Sequence, residues 1–75
     1  MSSPMSPAET AKELGRAIRS GRKAAKLTQA QLAGLCNYGR RFVIDVEAGR
    51  AQTTLLGVLT LARAVGVRIK IERPA

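Results

Sequence analysis

Two adjacent arginines, Arg40 and Arg41, have the residue type and spacing that most strongly suggest a binding chemistry in this sequence. A guanidinium group can donate two hydrogen bonds to O6 and N7 of guanine, or it can hold a phosphate group instead. Ile44 and Asp45 follow one helical turn later. Asp45 could accept a hydrogen bond from N4 of cytosine, orient a neighbouring arginine, or do no more than reduce non-specific affinity. The cluster predicts recognition of a polyanion rather than the breaking of covalent bonds.

The composition excludes most other kinds of chemistry. Lysine and arginine together number 13 against 5 aspartates and glutamates, a net charge of +8 at pH 7, and histidine is absent. Cys36 is the only cysteine, so an internal disulfide is impossible and a tetrahedral zinc site lacks ligands. Most enzymes need a nucleophile, a general base or a metal. We therefore expect no enzyme activity, no cofactor and no metal, and the basic excess favours nucleic acid as the partner.

A chain of 75 residues is long enough for one domain only. Such a small domain buries only about 60% of the surface of its unfolded chain, and it often needs a disulfide, a metal or a second subunit. Since the composition disfavours the first two, we expect a homodimer. No apolar run approaches the ~18 residues of a membrane span, and residues 1–7 lack the features of a secretory signal. The sequence predicts a cytoplasmic protein without membrane contact, with a disordered lead over residues 1–7.

Capping residues and hydrophobic periodicity predict two helices in the first half of the chain. The first begins either at Pro7, capped by Ser6, or after Thr10, and it extends to about residue 26. Thr28 forms a capping box with the glutamine three residues later, which predicts a second helix over residues 29–35. The apolar residues expected to face the core from these helices are Leu14, Ala17, Ile18, Ala25, Leu32, Ala33 and Leu35.

Two further helices are predicted in the second half. Asn37 is expected to break the second helix in the left-handed conformation, and a third helix follows over residues 40–48. Gly49 is placed to end that helix. The fourth helix begins after Thr53 or Thr54 and extends to about residue 65. It is the most apolar element, and its apolar face is wider than a small core requires.

The last segment, residues 67–73, has the alternating pattern of a half-buried strand, with Val67, Ile69 and Ile71 on one face. No second strand is predicted, and a lone strand would leave its backbone groups unpaired. The simplest partner is the same strand of a second copy, in an antiparallel ribbon across a twofold axis. Leu56 and Leu59 of the fourth helix would complete this dimer surface.

Two short helices joined by an Asn- and Gly-containing break fit a helix-turn-helix. The sequence Leu-Thr-Gln-Ala-Gln-Leu-Ala over residues 27–33, Gly-Arg-Arg-Phe-Val over 39–43 and Glu-Ala-Gly over 47–49 resembles the Xre/Cro/C1 repressor-type family. The resemblance covers about residues 12–66. It implies an all-α, lambda-repressor-like domain of four to five short helices over residues 8–66. With the C-terminal strand and the Gly-Arg-Arg-Phe run over residues 39–42 added, the chain looks like the HipB-type antitoxins that partner HipA-type kinase toxins.

The resemblance also implies roles for individual residues. The second helix of the motif would enter the major groove with its N-terminal end first. Gly39 stands where the family more often has Ser or Thr, a weaker cap that still allows close approach to DNA. Arg22 and Glu47 match positions that pair across the first and third helices. The implied DNA-contacting residues are Thr28, Gln29, Gly39, Arg40, Arg41, Ile44, Asp45, Arg50 and Gln52.

The function implied is that of a repressor that binds palindromic operator DNA as a dimer and neutralises a HipA-type toxin kinase. ATP and Mg²⁺ would then belong to the toxin and not to this chain. Two alternatives stay open. One is a stand-alone Xre-type regulator with no toxin partner, and the other is a module that binds polyanions without sequence preference.

Overall fold

The computed structural model describes residues 5–50 and 52–73, and over these residues the chain forms four α-helices and no β-strand. The helices are α1 (Pro7–Ala24), α2 (Gln29–Cys36), α3 (Arg40–Glu47) and α4 (Leu55–Ala64). α3 packs against both α1 and α2, and α4 packs against α2. The predicted all-α class is confirmed, and residues 1–4 of the predicted lead lie outside the described residues.

Side-chain caps fix the starts of three helices. The hydroxyl of Ser6 accepts a hydrogen bond from the amide of Glu9, and the carboxylate of Glu9 accepts one from the amide of Ser6 at 3.0 Å. That second bond holds the pKa of Glu9 below its usual value. The first helix therefore begins at Pro7, the earlier of the two predicted starts. Thr28 caps α2 in a second capping box, as predicted, and Thr54 caps α4.

Left-handed residues separate the helices. Asn37 has φ 60° and ψ 40° and ends α2, and Gly49 has φ +72° after α3. Both conformations were expected from the residue types. Lys26, between α1 and α2, also has a positive φ of 59°. Nothing in its residue type predicts this, because lysine has no preference for the left-handed region.

The core lies where the four helices meet, and each helix contributes one large, fully buried side chain. These residues are Ile18, Leu32, Val43 and Leu61. Two predicted core residues are wrong. Ala25 is exposed because α1 has already ended before it, and Leu35 is 70% exposed on a face of α2 that no other helix covers. Across the described ranges, no helix has both the length and the apolar character needed to cross a lipid bilayer.

Residues 67–73 follow α4 without forming a strand. The amide of Val67 donates to the carbonyl of Ala62 at 2.9 Å, and its side chain packs against the core. Ile69 and Ile71 are 43% and 92% exposed. A β-strand needs a neighbour for its backbone hydrogen bonds, and the described part of a single chain offers none. The strand therefore stays a prediction about an assembly of two chains.

Candidate nucleic-acid interface

The N-terminal end of α3 presents two arginines to solvent. Gly39 caps this helix, and a Cβ atom built on it would meet no atom within 4 Å, so the backbone is open here. Arg40 and Arg41 form the first turn, and both are exposed. Ile44 lies one turn further on and is half-buried. This end of α3 can therefore contact another molecule through its two arginines.

Asp45 joins the arginines of α3 to the loop that follows it. Its Oδ1 atom lies 2.8 Å from Nη1 of Arg50 and 3.4 Å from Nε of Arg41. All three side chains remain open to solvent, with Arg41 74% exposed and Arg50 53% exposed. Gln52 is exposed in the same loop. Asp45 is thus placed to orient two arginines, and it also lowers the positive charge that this surface offers.

The start of α2 lies beside the start of α3. A shallow cleft of about 510 Å³ is lined by Arg22, Leu27, Thr28, Gln29, Ala30 and Arg40. The first amides of a helix have no partner within the helix, and together with the helix dipole they favour an anion. Arg22 and Arg40 both line the cleft, and since the guanidinium of Arg22 is paired with Glu47, the exposed Arg40 supplies the positive charge there. Its chemistry therefore suits a phosphate group.

A buried ion pair connects α1 to α3 behind this cleft. The Nε and Nη2 atoms of Arg22 donate to the two carboxylate oxygens of Glu47 at 2.6 and 3.0 Å. The Nη1 atom of Arg22 donates to the carbonyl of Leu27 at 2.9 Å. Only 10% of the arginine side chain and 4% of the glutamate side chain are exposed. The hydrogen bonds that Arg22 donates to Glu47 raise the pKa of Arg22 above its ordinary value, against the opposing effect of burial.

Gln29 is tied to the same pair. Its Nε2 atom donates to Oε1 of Glu47 at 3.2 Å. The three polar residues thus hold the start of α2 against the end of α3 and the last turn of α1. The side chain of Gln29 would need to leave Glu47, or use its second amide hydrogen, to contact a base. The backbone amides at the start of α2 need no such rearrangement to bind a phosphate group.

The residues predicted to form a dimer surface fall into two groups. Leu59, Val67 and Ile69 line one depression at the end of α4. Leu56 is 72% exposed on the same helix, and Ile71 lies further along the tail. The single chain does not bring Leu56 or Ile71 into this depression. Leu55, which the sequence did not suggest for this role, is also 73% exposed at the start of α4.

The two aromatic residues stabilise the fold. The rings of Tyr38 and Phe42 stack with centroids 4.6 Å apart and an interplanar angle of 18°. Phe42 packs against α4 at Gly57, where a Cβ atom would lie 2.3 Å from the Cζ atom of the ring. Phe42 is therefore engaged inside the domain and is not free to stack on a base. Burial raises the pKa of the Cys36 thiol, which disfavours the reactive thiolate.

Lys26 is a basic residue close in sequence to the start of α2 that the site prediction omitted. It is exposed in the α1–α2 turn, two residues before the cap of α2. Its position directly before the Leu-Thr-Gln segment was the sequence feature that could have indicated a role in binding. Within the described ranges, no group of three or more His, Cys, Asp or Glu side chains is placed to hold a metal ion.

A capped two-turn helix, a three-residue turn and a second two-turn helix with arginines on its first turn form a helix-turn-helix. This is the arrangement by which DNA-binding proteins place a helix in the major groove. The family model HTH_3, described as helix-turn-helix, matches residues 18–71, and the chain belongs to this Xre/Cro/C1-type family. Proteins of this family are DNA-binding regulators and not enzymes.

Known proteins similar to this chain agree with that assignment. The uncharacterised HTH-type transcriptional regulator y4mF of Sinorhizobium fredii (strain NBRC 101917 / NGR234) is 35% identical over 66 residues, which cover 88% of this chain and 87% of the relative. The restriction-modification controller protein C.AhdI of Aeromonas hydrophila superposes with a TM-score of 0.67 at 32% identity, over 79% of this chain and 89% of that chain.

A third similar protein bears on the fold. A chain of the HipA-HipB-O2-O3 complex superposes with a TM-score of 0.74 over 100% of both chains, at 17% identity. At that identity the likeness concerns the fold alone. Together these comparisons confirm the predicted lambda-repressor-like helix-turn-helix fold.

Proposed function

We propose that this protein is a sequence-specific transcriptional repressor that binds operator DNA as a dimer in the cytoplasm. The observation that best supports this function is the pair of exposed arginines on the first turn of α3, beside the open start of α2. Arginines in this position can contact guanine edges when α3 lies in the major groove. The domain responsible is residues 8–66, with residues 67–73 as the dimerisation strand.

Contacts to the DNA backbone would set the position of α3. The start of α2 offers the amides of Gln29 and Ala30 and the hydroxyl of Thr28 to one phosphate, in the cleft that Arg22 and Arg40 also border. The amide of Thr28 already donates to the side chain of Gln31. Arg50 and Gln52 are exposed in the loop after α3 and offer a second contact near the other end of that helix. Phosphate contacts fix the register, and the side chains of Arg40, Arg41 and Asp45 supply the sequence preference.

The DNA upstream of the protein's own gene is the first substrate to test, against a shuffled duplex of equal composition. We expect the wild-type protein to prefer the upstream DNA by about a thousandfold or more. Arg40→Ala or Arg41→Ala is expected to reduce that preference by about 5- to 150-fold, because a bidentate arginine–guanine contact contributes about 1–3 kcal/mol of discrimination. Fluorescence anisotropy titrations at two salt concentrations measure both quantities.

Arg63→Ala is the matched control, because Arg63 is an exposed arginine in the last turn of α4 and the change in charge is the same. It should leave the preference for upstream DNA intact. Equal affinity of the wild type for both duplexes, with the α3 variants altering only the salt dependence, would contradict the repressor and favour a non-specific polyanion binder.

Dimerisation would pair residues 67–73 of two copies and cover Leu56 and Leu59 of each. Two large apolar side chains support this interface, because Ile71 is 92% exposed and Leu56 is 72% exposed. Apolar surface of this kind on a small domain is typical of a protein contact.

Ile69→Asp with Ile71→Asp is expected to give a monomer by analytical ultracentrifugation, with helical circular dichroism retained. Arg68→Asp with Lys70→Asp, on the alternate face, should remain dimeric. Two dimeric variants, or a monomeric wild type, would rule out this interface.

The second part of the proposal is that the repressor acts as the antitoxin of a HipA-type kinase toxin. One observation favours it over a stand-alone regulator: Leu35 leaves a large apolar side chain 70% exposed outside the dimer surface, where a partner protein can pack. The fold shared with a chain of the HipA-HipB-O2-O3 complex is compatible with this role. A kinase-like reading frame beside the gene, and co-purification of its product with this protein, would support the antitoxin. The lack of both would favour the stand-alone regulator.

A further inference from the structure

Four basic residues form one stripe along α1. Lys12, Arg16, Arg19 and Lys23 follow one another at spacings of four, three and four, which places them on a single face of the helix. All four are exposed. With a rise of 1.5 Å per residue, the stripe is about 16 Å long. Like charges this close repel one another, so the stripe costs stability unless an anion binds it.

No carboxylate in the described part of the chain forms an ion pair with the stripe. The four ion pairs there involve Arg22, Arg41, Arg50 and Lys70. Glu9 and Glu13 are the acidic residues of α1, and Glu9 accepts the hydrogen bond that caps the helix. The stripe therefore carries an excess of positive charge, which Glu9 offsets only in part, near Lys12.

Both ends of the stripe lie beside surfaces already assigned to DNA. At one end, a Cβ atom built on Gly49 would lie 2.7 Å from Cα of Lys12, so Lys12 adjoins the loop that holds Arg50. At the other end, Lys23 follows Arg22, which borders the cleft at the start of α2. The stripe thus begins beside the loop that holds Arg50 and ends on the turn of α1 that carries Arg22.

We propose that this stripe is an additional phosphate-binding surface, and that α1 holds the DNA backbone beside the groove that α3 enters. The inference rests on the proposed function, because it assumes that α3 faces DNA. It adds a binding site outside the helix-turn-helix with a defined ligand chemistry, the phosphate diesters of duplex DNA. Since one strand carries a phosphate every 3.4 Å of helix axis, the stripe is long enough to meet several of them.

The test uses a triple variant, Arg16→Gln with Arg19→Gln and Lys23→Gln, in titrations of the upstream and shuffled duplexes at four salt concentrations. Lys12 is kept because it packs against Gly49. Each lost phosphate contact should make the slope of log K against log salt shallower by about 0.9. We therefore expect a slope shallower by about two to three for each bound protomer. Affinity should fall by the same factor on both duplexes, because phosphate contacts carry no sequence information.

The control is Arg63→Gln with Arg68→Gln and Lys70→Gln, which removes the same charge from exposed positions outside α1 and leaves Arg73, on the proposed dimer face, in place. Analytical ultracentrifugation checks that both triple variants have the oligomeric state of the wild type. An equal change of slope in both triple variants would show a general charge effect and overturn the proposal, as would an unchanged slope in the α1 variant. If the wild type binds both duplexes equally, the proposed repressor function is overturned. The phosphate-binding stripe remains supported in that case if the two triple variants still differ in slope. Absence of binding to either duplex would overturn both.

Discussion

Replacing Arg22 by methionine is expected to lower the free energy of unfolding by about 3–5 kcal/mol, because Glu47 would remain as an unpaired charge in the interior. The pair joins α1 to α3 through two hydrogen bonds and is almost entirely shielded from water, with 4% of the Glu47 side chain exposed. A chain of this length has about 4–11 kcal/mol of stability in total. The variant should therefore lose a large share of its stability, and urea unfolding followed by circular dichroism measures the loss.

Two further variants isolate the cause. Arg22→Met combined with Glu47→Leu should recover most of the lost stability, because a buried ion pair can often be replaced by apolar residues at little cost. Arg50→Met breaks the exposed pair with Asp45 instead and should change stability by less than about 1 kcal/mol. If Arg22→Met stays within 1 kcal/mol of the wild type, the pair does not hold the domain together.

The helices of this domain could be predicted from the sequence because their ends are marked by local chemistry. Ser6, Thr28 and Thr54 supply the caps, and Asn37 and Gly49 adopt the left-handed conformation that their residue types favour. Such features depend on residues three or four positions apart. They therefore need no knowledge of the tertiary structure.

Features that depend on distant residues were harder to predict. Leu35 fits the apolar spacing of α2, yet it is exposed because the domain has no fifth helix in the described residues to cover it. The position of Asp45 was predicted to matter, but its contact with Arg50 required the conformation of the loop after α3. The alternating residues 67–73 predict a strand whose partner lies outside a single chain, so neither the sequence nor one chain defines its pairing.

The same contacts serve stability and binding in this domain. Glu47 accepts hydrogen bonds from Arg22 and Gln29, and it thereby fixes the start of α2 relative to α3. Those two helix ends border the cleft in which we expect a phosphate group. A change that moves α1 away from α3 should therefore weaken the fold and the DNA-binding surface together.

Gly15→Ala is the substitution that tests this coupling most directly. A Cβ atom on Gly15 would lie 2.4 Å from the carbonyl oxygen of Val46 and 2.8 Å from that of Glu47. Both are backbone atoms at the end of α3, so no side-chain rotation relieves the overlap and α1 must move. We expect the free energy of unfolding to fall by at least the ~1–3 kcal/mol typical of overpacking, with a further loss if the Arg22–Glu47 pair is strained.

Gly34→Ala is the matched control for that prediction. Gly34 lies inside α2, and a Cβ atom there meets nothing within 4 Å. Both changes replace a helical glycine by alanine, so both gain the same ~0.5–1 kcal/mol of helix propensity. The difference between the two unfolding free energies therefore isolates the contact of α1 with α3.

Gly34→Ala should be more stable than the wild type and should bind DNA as the wild type does, while Gly15→Ala should be less stable and bind more weakly. Equal stability of the two variants would mean that α1 can move away from α3 at no cost, and the close approach at Gly15 would then not be what positions the binding surface.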